Sequence, residues 1–139
     1  MGFMETFTVR TRTHAEFVEI THQIRERIVQ SGIDTGVFHV FVPHTTAGIT
    51  MNENADPSVV HDMLADLDRL VPPRQPYYQH LEGNSASHLK ASLMGSSVRV
   101  LVDGGRLVLG TWQGIYLCEF DGPRTRKIHM QLIGGGNTE

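Results

Sequence analysis

The apolar side chains change period partway along this chain, and that change restricts the fold more than any other feature. In FMETFTVRTR, residues 3–12, apolar and polar positions alternate with β-branched residues among them, the pattern of a half-buried strand. From Glu16 to Gln30 the spacing lengthens. Phe17, Ile20, Ile24 and Ile28 recur at helical intervals, and Ser31-Gly32 supplies a stop with glycine available for the left-handed C-terminal position. GVFHVFVPHTT, residues 36–46, is apolar at both parities, as a strand covered on both faces would be. AGITMNEN, 47–54, reads as its neighbour, and Pro43 ends the first of the two.

Further along, Asp56 caps a second helix with Pro57 at its first position and Val60, Met63, Leu64, Leu67 and Leu70 as its apolar stripe; VPPRQP at 71–76 ends it. Ser87 reads as the N-cap of a third helix beginning at His88. Strands follow at about 97–102, 106–112, 114–120 and 126–133, separated by the turn sequences DGG and DGPR. The architecture so outlined is mixed and mainly antiparallel. A chain of 139 residues fits one domain, so a single unit over 1–139 is expected, with GGGNTE at 134–139 a frayed tail.

Charge and composition exclude some functions. A formal net charge of -3 supplies no general pull toward nucleic acid or an anionic membrane. The start MGFMETFTVR lacks the form of a signal peptide, and no apolar run approaches the ~18 residues needed to span a bilayer, so a cytoplasmic protein is expected. The single cysteine, Cys118 in IYLCEF, permits neither an internal disulfide nor a cysteine metal cluster, and reads as a buried thiol.

Eight histidines stand out in so short a chain. His22 and His61 lie off the apolar stripes of their helices, His129 shares a strand face with Lys127 and Gln131, and His14 sits in a turn; all read as surface residues. His39 shares a face with Val37 and Phe41 and reads as a buried core histidine. Three remain. His44 falls at a strand end beside the hydroxyls of Thr45 and Thr46, a position where chemistry often sits. His80 and Glu82 alternate in YQHLEGN and leave an extended backbone on one side, after which Gly83 lets the chain turn. His88 shares a helix face with Ala91, Ser92 and Gly95, small enough for a metal-bound ligand or another strand to approach, and Lys90 with the first-turn N–H groups favours an anion nearby. Imidazoles from separate segments with carboxylate at hand suit Zn²⁺ or a related divalent ion. The spacing matches no compact local motif and is not diagnostic, and a set of capped turns with solvated histidines is the plainer reading of it. Glu82 and Glu53 carry the same double reading, general acid or base against surface carboxylate.

Three stretches taken together, HTTAGITMNENADPSV, HLEGNSASHLKASLMGSS and GRLVLGTWQGIYLCEFDGPRTRK, resemble the YjbQ-like family, also called the secondary thiamine-phosphate synthase family, nearly end to end. The resemblance implies a single α+β domain of sandwich-like antiparallel sheets with about three helices, a homotrimer, and a metal site, expected to hold Zn, on His44, His80 and His88. It further implies a polar pocket that includes Asn52, Glu53, Glu82, Asn84, Lys90, Ser96, Gln113 and Arg124, with Glu82, Glu53 and Lys90 as candidate catalytic groups and Thr45, Thr46, Asn52, Asn84, Ser96, Gln113 and Arg124 as candidate contacts to a phosphorylated small-molecule substrate. Members of that family often carry Asp where this chain has Ala86, and no role is assigned there. The implied activity is a weak thiamine-phosphate synthase reaction, joining a pyrimidine methyl diphosphate to a thiazole phosphate with loss of pyrophosphate. Metal-assisted hydrolysis of a phosphate compound and a non-catalytic, trimeric metal- or metabolite-binding role stand beside it.

Overall fold

In the computed structural model, which describes residues 2–134, the opening alternation is β1 (Gly2–Arg10), with Phe7 and Val9 turned inward and Thr6 and Thr8 outward. The expected helix from Glu16 divides in two. Glu16–Glu19 form β2, whose partners across the ladder are Glu119 to Tyr116, and α1 (Thr21–Ser31) begins only after Ile20. Cross-strand hydrogen bonds override the helical spacing of Phe17, while Ile20, Ile24 and Ile28 are buried as that spacing requires. Gly32, at φ 70°, caps the helix and returns its N–H to the Val29 carbonyl.

The chain then runs through β3 (Gly36–Phe41), β4 (Ala47–Glu53), α2 (Pro57–Leu70), α3 (Ser85–Met94), β5 (Ser97–Asp103), β6 (Arg106–Leu107), β7 (Gln113–Glu119) and β8 (Thr125–Gly134). Two antiparallel sheets result, a five-stranded one in the order β1-β8-β3-β5-β6 and a three-stranded one in the order β2-β7-β4. The strands β3 and β4, expected as neighbours, belong to different sheets. Pro43 has no N–H to continue the ladder, and the chain crosses from one layer to the other at Pro43-His44. The strand expected over 106–112 shrinks to the two residues of β6, because the Gly110 N–H bonds to Gln113 Oε1 in a turn instead of to a partner strand. β8 takes in Gly134, and the rest of the expected tail, 135–139, lies outside the described residues.

Between the sheets sits the main core, with Phe38, Val40, Ile128 and Met130 facing Ile49, Ile115 and Leu117, and α1 closing it with Ile24 and Ile28. The opposite face of β7 presents Tyr116, Cys118 and Phe120 to α3 and α2, through Ala91 and through Val60, Leu64 and Leu67. Cys118 is a buried thiol, as expected, and burial pushes its pKa up. The helix α2 keeps the expected N-terminus, with Asp56 Oδ1 accepting from Ser58 N at 2.9 Å, yet none of its residues is fully buried. The outer face of the five-stranded sheet is also open, leaving Met4, Phe41, Leu101 and Ile133 exposed. His39 points to that face and is half-buried, not a core residue, because the other parity of β3 supplies the core. Among the described residues no helix is long and apolar enough to cross a membrane.

Candidate functional site

The third helix starts earlier than its sequence suggests. Asn84 occupies the N-cap without a side-chain capping bond, and Ser87 lies inside α3, buried, with its hydroxyl donating to the Phe120 carbonyl at 2.6 Å. Docking on β7 turns Ser87 inward, a tertiary bond that replaces the local cap. The small residues beyond His88 do admit another strand. A Cβ added to Gly48 of β4 would lie 2.7 Å from the Gly95 carbonyl oxygen and 3.2 Å from that of Ala91, so β4 and α3 touch backbone to backbone. This contact brings His88 to the strand end that carries His44.

A polar hollow of about 310 Å³ opens there, lined by Pro43, His44, Thr45, Thr46, Glu82, Asn84, His88, Asp121, Arg124 and Arg126. His80 does not line it but stacks edge-on against His88, ring centroids 5.4 Å apart. Residues 80–83 form a turn, closed by the Gly83 N–H on the His80 carbonyl, and not the expected extended segment; His80 Nε2 and Glu82 Oε1 are nonetheless 3.6 Å apart. Gly83 holds φ at 73°, a conformation that favours glycine in this turn.

Hydrogen bonds define the surroundings of three side chains of the hollow, His44, Asp121 and Asn84. Lys127 N donates to His44 Nε2 at 2.8 Å, and burial first, then the Arg126 charge, lowers the pKa of the His44 ring. His44 is therefore neutral near pH 7, with the proton on Nδ1. Asp121 accepts from Asn84 Nδ2 and from Arg124, both at 2.8 Å; burial raises its pKa, but these bonds outweigh it and hold the carboxyl below its usual value. The remaining polar atom of that amide, Asn84 Oδ1, is buried with no partner among the described residues.

Beneath the hollow lies a buried ion pair that sequence reasoning did not single out. Arg126 bonds through Nε to Glu119 Oε1 at 2.8 Å and through its terminal nitrogen to Glu119 Oε2, and that same nitrogen reaches Thr46 Oγ1 at 2.9 Å. Thr11 Oγ1 and the Asp121 N–H complete the carboxylate's bonds, each at 2.9 Å. The signal was present. Glu119 continues the strand face of Ile115 and Leu117, and Arg126 that of Ile128 and Met130, so both charges fall at inward positions, where charged groups survive only in pairs.

The other expected residues separate. Lys90 is buried and bonds to Asp68 of α2 at 3.0 Å, lining an adjacent hollow of about 300 Å³ that shares Glu82, Asn84 and Asp121 with the first. Ser96 lies at the same end of the molecule, its carbonyl accepting from Val42 N, but its side chain is exposed and outside the hollow. Asn52, Glu53 and Gln113 sit at the opposite end of the small sheet, since Ala47 pairs with Glu119 whereas Glu53 pairs with Gln113. Six residues of strand place them roughly 20 Å from the His44 end. Within one chain they take no part in the hollow.

As a metal site the residues fit in chemistry more than in present arrangement. His80 and His88 are ring neighbours, His44 is kept neutral, and the unpartnered Asn84 Oδ1 is an oxygen donor on the same wall. Among the described residues, however, no three His, Cys, Asp or Glu side chains converge on one point. For His44 to ligate through Nε2, its ring must release the Lys127 N–H.

An antiparallel α+β sandwich with a histidine-bearing polar hollow at one end is the class these features define. The chain belongs to the UPF0047 protein YjbQ-like family, whose pattern matches residues 5–135. The UPF0047 protein YugU of Bacillus subtilis is 47% identical over 131 residues, covering 94% of this chain and 99% of the relative. A YjbQ/UPF0047 family protein from Clostridium acetobutylicum, known from its crystal structure, superposes with a TM-score of 0.90 at 49% identity, over 93% of this chain and 99% of that one. A YbjQ-like protein of unknown function from Sulfolobus solfataricus gives 0.92 at 33% identity, over 97% and 99%.

Proposed function

We propose that the hollow binds a divalent metal, Zn²⁺ as first choice, on His80 and His88 with His44 completing the set, and that the protein acts there on a phosphorylated small molecule. The observation that carries this reading is the meeting of His44, His88 and Glu82 with Arg124 and the unpartnered Asn84 Oδ1 around one polar hollow. An ion held there would supply charge neutralisation for a leaving phosphate or diphosphate. Arg124 orients an anion at the rim, and Thr45 and Asn84 offer hydrogen bonds to its oxygens. The reaction class is thiamine-phosphate synthase-like transfer or metal-assisted hydrolysis, in a homotrimer whose contacts draw on the open apolar face of the large sheet.

One observation favours the non-catalytic reading, a metal- or metabolite-binding protein. The Glu82 side chain is 69% exposed, so it stands in solvent rather than inside an enclosed catalytic pocket. Metal analysis and turnover of the two phosphorylated thiamine precursors separate these outcomes. Purified protein should carry about one ion per chain, and His80→Ala or His88→Ala should lose it while the fold persists. Formation of thiamine phosphate that falls with Glu82→Gln supports transfer, and release of phosphate from a panel of esters supports hydrolysis. Full metal occupancy with neither activity leaves the binding role, and absence of bound metal after reconstitution overturns the site.

A further inference from the structure

At the far end of β5 from the hollow, a groove combines an apolar floor with two arginines. It encloses about 350 Å³ between α1 and the β5–β6 hairpin and is lined by Arg25, Ile28, Val29, Gly105, Arg106 and Leu107. Arg25, Ile28 and Val29 follow one another at i, i+3 and i+4 on a single helix face, so a cation and two apolar side chains stand side by side. Ile28 belongs to the main core and Leu107 packs against it, whereas Val29 is 74% exposed. β6 is the last strand of the large sheet, so among the described residues no further strand closes the groove on that side. Ser97 pairs with Phe41 toward the hollow and Asp103 with Arg106 at the groove, and the six residues of β5 between them set the two places roughly 20 Å apart.

The charges decide what fits. Both arginines are exposed, and among the described residues neither forms an ion pair with a carboxylate. Glu26, next to Arg25, approaches His22 at 3.4 Å instead, and Asp103, opposite Arg106 in the ladder, does not line the groove. The apolar hollow beside α2 is the reverse case, rimmed by Asp62 and Asp66. Two guanidinium groups beside an apolar floor match an anion that carries an apolar tail, since the planar forks take its oxygens and the floor takes the tail. The volume is at the low end of the range for small-molecule pockets, which favours a short ligand over a segment of another protein.

We propose that this groove binds a small amphipathic organic anion, a carboxylate or phosphate monoester with a short apolar tail, separately from the hollow around His44 and His88. The site goes beyond the metal and phosphorylated-substrate reading above and stands if that reading fails. Because Ile28 and Leu107 tie the groove to the main core, an anion held there binds the native chain alone and raises its Tm.

Isothermal titration calorimetry and thermal unfolding of the full chain, purified without added metal, test this with octanoate, octyl phosphate, butyrate, inorganic phosphate and octylamine. Octanoate or octyl phosphate should bind once per chain and raise the Tm, and the tighter of the two identifies the head group. Butyrate, shorter than octanoate by four methylenes, should bind at least about tenfold more weakly, inorganic phosphate should fall behind octyl phosphate by a similar factor, and octylamine should not bind. Arg25→Gln combined with Arg106→Gln should weaken the tighter ligand about tenfold or more with circular dichroism unchanged, both residues being exposed. Should that variant fail to fold, Val29→Asp, which sets an acid beside the arginines, takes its place. His88→Ala should bind the ligand as the wild type does. The proposal is overturned by any of four results: no saturable binding of either octyl anion, a tailless anion or octylamine binding as tightly, wild-type affinity in the groove variant, or loss of binding in His88→Ala.

Discussion

Replacing Arg126 by Met removes the cation from a carboxylate that has no exposure to solvent. Glu119 is 0% exposed and Arg126 4%, and four of the guanidinium's hydrogen bonds, two to Glu119 and two to Thr46, disappear together. Breaking a buried pair from one side costs about 3–5 kcal/mol. Thr11 Oγ1 and the Asp121 N–H still hold Glu119, which argues for the lower end, about 3 kcal/mol, or on the order of 10 °C in Tm. The pH dependence separates this mechanism from a packing defect. In the wild type, burial pushes the Glu119 carboxyl up, but bonds from Arg126, Asp121 N and Thr11 outweigh it and hold the pKa below the ordinary 4.5. A lowered carboxylate stabilises the fold above that ordinary value, and the contribution is lost as pH falls through the folded one. Without Arg126, burial prevails and the folded pKa lies above the unfolded one, so the penalty is greatest near neutral pH and shrinks on acidification. Urea unfolding followed by circular dichroism at pH 7 and pH 5 measures both quantities. A loss under about 1 kcal/mol at pH 7, or the same loss at both values, would refute the argument. Arg126→Met with Glu119→Leu should recover part of the stability, since no charge is then left stranded.

Two local features give further tests. Gly48→Ala places a methyl group 2.7 Å from the Gly95 carbonyl oxygen, so α3 must shift from β4; a loss of about 1–3 kcal/mol is expected in denaturant unfolding. If His88 binds metal, the same shift should weaken metal affinity in a titration. Asp56→Ala deletes the α2 cap and should cost about 1 kcal/mol with the α3 end of the molecule unchanged, as amide exchange would report.

Much of the architecture was legible because it depends on local spacing. Phe7 and Val9 in β1, Ile24 and Ile28 in α1, and the Asp56-Pro57 start of α2 all sit where period and capping chemistry put them. Several of the failures share one cause, a partner distant in sequence. Phe17 keeps helical spacing with Ile20 but pairs with Cys118, 101 residues on; Ser87 has the chemistry of an N-cap but bonds to Phe120. His39 and Val37 face outward because only one parity of β3 meets a second layer within the chain.

The site follows the same division. His44, His80, Glu82 and His88 stood out by residue type and position, and three of them line one hollow with the fourth against His88. Lys90, close to His88 along the helix, turns instead toward Asp68, while Glu53 lies at the other end of the small sheet. By itself the sequence determined most of the strands and helices and which parity of β1 and face of α1 is apolar, since these depend on neighbours a few residues away. Only the tertiary structure decided that Pro43 carries the chain between sheets, that Glu119 and Arg126 neutralise each other under the hollow, and that Asn84 is left with an unpartnered oxygen. Those outcomes depend on which strand ends meet, and that choice is made by the packing of the whole core.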